Sequence, residues 1–189
     1  LDALTGPTRS DVDRIIGVIN RARSWQAANK ALAGNGVRFT DDHPDLNRHG
    51  ALGAADGTEV VLNASFFHRV GSEMLRTTIE HELTHREQML RAAKTGADPK
   101  SVTSRKLASW LDKWGRVNLQ RYLSDPLEMQ ALAYNAVRSA GDRGADVAGR
   151  LRSGTLAFDA PLTPRNRKRF GKYAYQIMGQ HKPTKPRSD

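Results

Sequence analysis

The chain has 189 residues, 38% hydrophobic and 6% aromatic, with no cysteine and a formal net charge of +10. That length predicts one domain, or one domain with a tail, whose core is built mainly from Leu, Val and Ala and needs no covalent staples. Disulfides and thiolate metal sites are excluded, and no apolar run approaches the ~20 residues of a membrane-spanning helix.

No charged-then-apolar signal segment opens the chain. It begins at Leu1, so it is expected to be a processed or excised piece of something longer. Nothing in the composition identifies a compartment.

In chain order, capping residues at Thr8 to Asp11 precede Val12, Ile15, Ile16 and Ile19 at helical spacing, which predicts a first helix from about Ser10 to Leu32. Ala33 to Gly36 ends it. Val37 to Thr40 reads as a short strand and "DDHPDLN" as loop. Asp56-Gly57 ahead of Val60-Val61-Leu62 is a hairpin signal. A long helix is expected from Ser72, as N-cap, to Lys94, with Gly96 as its stop.

A second helical stretch is expected over about Ser101 to Leu123, bent near Gly115, with Trp110 and Trp114 as core. Asp125 as cap and Pro126 at the first helical position start a third, which stops near Gly141. A short helix near Asp146 to Arg152 and another after Pro164 complete the set, and "HKPTKPRSD" reads as a frayed end. The fold class is α+β, helix-rich, with a small, mostly antiparallel sheet near Val37–Leu62 and the long helix behind it.

Charge is unevenly placed. Residues 1–95 hold 12 basic and 12 acidic side chains, whereas residues 96–189 hold 18 and 8. The segment from Pro161 onward carries 8 basic residues and a single acid, Asp189. Such asymmetry suits an acidic partner or nucleic acid, or a solvated basic tail. In "PRNRKRFGKYAYQ" the basic residues alternate with Phe170, Tyr173 and Tyr175. That mixture suits single-stranded nucleic acid or a terminal helix packing its rings inward, and packing is the expectation.

Chemistry concentrates in "TTIEHELTHREQM", residues 77–89. His81 and His85 lie four apart, on one face of a helix, where two imidazoles can reach one ion at about 2.0–2.1 Å each. Glu82 is rotated by about 100° from His81, poorly placed as a ligand but well placed to hold a water beside the ion. The set therefore offers two ligands and a general base in five residues. Leu75, Ile79, Leu83, Leu90 and Ala93 form an apolar stripe on the other side. An ordinary amphipathic helix with exposed histidines is the alternative. His and Glu are each near 3% of the chain, so chance yields this pattern in about 0.6% of such sequences, which favours the functional reading.

The His-Glu-x-x-His pattern resembles that of the zincin metallopeptidases. The longer version with a third histidine does not fit, because Gln88 and Arg91 stand where it has Gly and His. The glutamate branch of the family takes its third ligand from a downstream helix. Glu128 is the sole glutamate after Glu87, and "YLSDPLEMQALAY" is similar to the Tyr-x-x-x-Pro-x-Glu-x-x-Ala segment of small zincins. Asp125-Pro126-Leu127-Glu128 is also a capping-box arrangement. Asp125, Asp112 and His181 are rival ligands, and "GTLAFD" at Gly154 lacks the aspartate-type pattern at Ala157.

The resemblance, over about Val60 to Tyr134, implies zinc-dependent hydrolysis of a protein or peptide substrate, with Zn2+ held by His81, His85 and Glu128. Glu82 would be the general base and Tyr122 an oxyanion donor, with Tyr134, Tyr173, Tyr175 and His181 as other candidates. It also implies that "GTEVVLN" serves as an edge strand along which substrate adds. His43, His49 and His68 are expected at the surface or in loops. The metallopeptidase domain is expected over 1–160, with 161–189 a basic helix and tail packed on it. The alternative is a zincin-like structural or nucleic-acid-binding module of a larger protein, such as a virion component or effector.

Overall fold

The computed structural model describes residues 7–69, 71–94, 96, 118–142, 146–153 and 162–180. It divides into two compact units between Arg121 and Tyr122.

The first unit opens with helix α1 (Arg9–Arg21) and helix α2 (Trp25–Ala31). The single helix expected over 10–32 is thus two. Ala22 is extended, and the Ser24 side chain accepts the Ala27 N–H as a new N-cap, the preferred role of serine at a helix start. α1 buries Val12, Ile15, Ile16 and Ile19, each worth about 1.5–3 kcal/mol when fully buried.

Strand β1 (Val37–Thr40) follows, then helix α3 (Pro44–His49), strand β2 (Gly53–Asp56) and strand β3 (Glu59–Asn63). "DDHPDLN", expected as loop, holds the start of α3. His43 caps it by accepting the Leu46 N–H, and Pro44 occupies the first turn, where its missing N–H costs nothing. The β2–β3 hairpin turns at Gly57, whose φ of 64° glycine adopts without steric penalty.

The α+β class holds. The three-stranded sheet has the order β1-β3-β2 and is mixed: β1 runs parallel to β3, and β2 antiparallel. β3 is therefore the central strand, and the edge-strand role expected for "GTEVVLN" is corrected. Its unbroken Val60-Val61-Leu62 run, buried throughout, is the signature of a strand covered on both faces, not the alternation of a half-exposed edge. At the β1 edge, Asn29 of α2 stands in for a neighbouring strand. Its Oδ1 accepts the Phe39 N–H at 2.6 Å and its Nδ2 donates to the Phe39 carbonyl at 2.8 Å.

A short 3-10 turn (Ala64–Phe66) leads to helix α4 (Ser72–Lys94). It starts and stops close to expectation, with the Leu75 N–H bonded to the Gly71 carbonyl and Gly96 in the left-handed region at φ 79°. α4 packs on α1, β2 and β3. Ile79 and Leu83 are buried as expected, whereas Ala93 is exposed.

Helix α5 (Leu119–Tyr122) ends at the division between units. The rest of the helix expected over 101–123, with Trp110 and Trp114, lies outside the described residues. The second unit holds helix α6 (Pro126–Asp142), helix α7 (Val147–Ser153) and helix α8 (Pro164–Gln180). α6 and α8 pack together through Leu123, Met129, Ala133, Tyr134, Phe170 and Ile177. No helix among the described residues is long and apolar enough to cross a membrane.

Candidate metal centre

α4 brings the histidine pair together. The Nε2 atoms of His81 and His85 are 3.0 Å apart, with ring centroids at 4.6 Å and planes nearly perpendicular at 88°. Two nitrogens each about 2.0–2.1 Å from one tetrahedral ion would stand roughly 3.3 Å apart. The pair thus converges as two ligands to one ion would. Both side chains are half-buried, reachable by an ion yet held by the protein.

Gln88 fixes the orientation of His85. Its Oε1 lies 2.8 Å from His85 Nδ1. A carboxamide oxygen can only accept, so Nδ1 carries the proton and Nε2 is left with the lone pair a metal requires. Gln88 is itself 8% exposed. Its signal in the sequence is the three-residue step from His85, which puts the two on one helix face.

Glu80, Thr84 and Gln88, each four apart, form a buried polar strip on α4. Thr84 Oγ1 donates to the Glu80 carbonyl at 2.7 Å. The expected apolar stripe thus shares the interior with polar residues, which hydropathy alone does not assign there.

Glu82 is half-buried and faces β2. A Cβ built on Gly53 would stand 3.3 Å from Glu82 Cγ and 3.1 Å from both Thr78 Cγ2 and Leu62 Cδ2. Gly53 therefore lets the strand lie close against the helix at the proposed base. A cavity of about 170 Å3 lies one turn earlier, lined among others by Phe39, Leu62, Phe67, Leu75 and Thr78. It has room for a benzene-sized group and does not include His81, Glu82 or His85.

Glu128 lies in the first turn of α6 and is 8% exposed. The Asp125 N–H donates to the Tyr122 carbonyl at 3.0 Å. Asp125 Oδ1 accepts the Leu127 N–H at 2.8 Å, as a helix-capping aspartate does. Tyr122 ends α5 and packs, half-buried, against the Leu123–Phe170 cluster.

Among the other candidates, Tyr134 is buried and its hydroxyl accepts from Arg138 at 3.0 Å. Tyr175 is 51% exposed. Asp112 and His181 lie outside the described residues. His43 is a helix cap, and His68 sits in a turn with φ 63°. Compared with known protein families, curated proteins and solved structures, the chain matches none.

Proposed function

We propose that the chain is a zinc-dependent peptidase, as the resemblance of its His-Glu-x-x-His helix to the zincins suggests. The observation that carries this reading is the His81–His85 pair, its Nε2 atoms converging to 3.0 Å while Gln88 holds the outer nitrogen of His85. In this reading His81, His85 and Glu128 together would hold the ion. Two imidazoles and a carboxylate are a donor set that suits zinc and leaves room for a further ligand.

In this reading zinc supplies Lewis acidity, which makes water a nucleophile near neutral pH. Glu82 takes the proton from the attacking water and delivers it to the leaving amine nitrogen. The Tyr122 hydroxyl donates a hydrogen bond to the oxyanion formed at the former carbonyl oxygen. Glu128 contributes negative charge and a hard oxygen donor to the ligand set.

Glu82→Gln tests the assignment. The variant keeps its zinc, by metal analysis, and its circular dichroism, but cleaves a casein substrate at least ~100-fold more slowly, the scale of a lost general base. Retained zinc with undiminished cleavage would remove Glu82 from the chemistry and the peptidase reading with it.

A further inference from the structure

The proposed peptidase site makes no use of the outer face of α8. This 17-residue helix contains no acidic residue and five basic ones: Arg165, Arg167, Lys168, Arg169 and Lys172. Its inner side is spoken for. Asn166, Phe170, Ala174 and Ile177 are buried, and Arg169 donates to the Ser124 carbonyl at 2.9 Å. Arg165, Lys168, Lys172 and Tyr175 fall within about 80° of one another on the opposite side, at 100° per residue. All four are exposed, the Tyr175 side chain to 51%. No carboxylate pairs with the three cations among the described residues.

We infer that this face binds single-stranded nucleic acid. At 1.5 Å rise per residue the four positions span about 15 Å, as a row of three cations about 4.5 and 6 Å apart followed by an aromatic ring. A row of that kind follows a phosphate backbone, and an exposed ring beside it offers a stacking platform to an unpaired base. A duplex has its bases already stacked and gives Tyr175 nothing to engage. A lipid surface would take an outward apolar stripe, but the apolar residues of α8 point into the core.

The test is fluorescence anisotropy of the full chain with a fluorescein-labelled 15-mer of oligothymidylate, in EDTA, between 20 and 200 mM NaCl. Chelation keeps the measurement independent of the proposed zinc site. Three neutralised phosphates predict a slope of log K against log salt of about −2, from roughly −0.7 per contact on a single strand. Lys168→Ala and Lys172→Ala each flatten the slope by about 0.7. Tyr175→Ala weakens binding roughly 5- to 150-fold at every salt concentration and leaves the slope unchanged, while Tyr175→Trp restores it. All are exposed positions, and thermal melts confirm the fold of each variant. Absence of binding at 20 mM salt overturns the inference. So does equal affinity for heparin or polyglutamate with no effect of Tyr175→Ala, which would make the face a general polyanion or acidic-peptide surface. Tighter binding to phosphatidylserine vesicles than to the oligonucleotide also overturns it.

Discussion

Gln88 shows how one side chain decides whether a neighbouring imidazole can act. An imidazole binds metal through a nitrogen that carries no proton, and which nitrogen that is depends on the partner of the other. With Gln88 Oε1 at 2.8 Å from His85 Nδ1, Nδ1 carries the proton and Nε2 is the nitrogen turned toward His81. Gln88→Leu removes the acceptor and lowers zinc affinity by about 10- to 100-fold, the usual cost of losing such a partner, as read by competition against a chromogenic chelator. Gln88→Glu keeps an acceptor and retains the affinity. Equal affinity in the leucine variant would show that His85 needs no orienting group. Glu128 and Asp125 separate in a second experiment. Asp125→Ala removes a helix cap, lowers stability by about 1 kcal/mol and leaves zinc binding intact. Glu128→Ala weakens zinc binding far more. Equal effects on zinc would return Glu128 to a purely structural role. At this scale the approach of His81 to His85 was legible because it follows from residue type and a four-residue step on a helix. Gln88 was not, since nothing in its identity distinguishes an orienting amide from an exposed one.

Among the elements, α1, α4, α6 and α8 were legible because each carries a long apolar period bounded by caps or glycines. The misreadings have local causes. Ser24 interrupts a helical pattern without a glycine or proline to announce it, and Pro44 begins a helix within a stretch of loop-like composition. The pairing of β3 with β1 depends on long-range packing, which a hairpin signal does not encode. Asn29 is the element-scale device that closes the β1 edge, since its amide supplies both the acceptor and the donor that a fourth strand would bring to Phe39. Asn29→Ala therefore strands two backbone groups at the end of a buried strand, and is expected to lower unfolding free energy by about 1–3 kcal/mol in urea titrations. A loss below ~0.5 kcal/mol would mean that water replaces the amide there.

Across the whole molecule, the ligands proposed for zinc are separated by a long stretch of chain, with Glu128 lying 43 residues beyond His85. An ion binding all three only when they are correctly placed ties its affinity to folding, so zinc should stabilise the native state by mass action. At free zinc near 100 times the dissociation constant the gain is about 2.7 kcal/mol. The absence of cysteine sharpens the measurement. Unfolded chains that bind zinc through thiolates blunt the effect, but here only six dispersed histidines and the carboxylates remain in the unfolded state. Thermal unfolding of the wild type should therefore shift upward with zinc and return with EDTA. His81→Ala should show almost no shift, and Glu128→Ala a reduced one at the same free zinc. Magnesium, which prefers oxygen ligands and near-octahedral geometry, should not substitute. A wild-type midpoint indifferent to zinc at millimolar excess would mean that the histidine pair holds no ion with useful affinity, and the peptidase reading would fall with it. The α8 nucleic-acid face, measured in EDTA, would stand or fall separately.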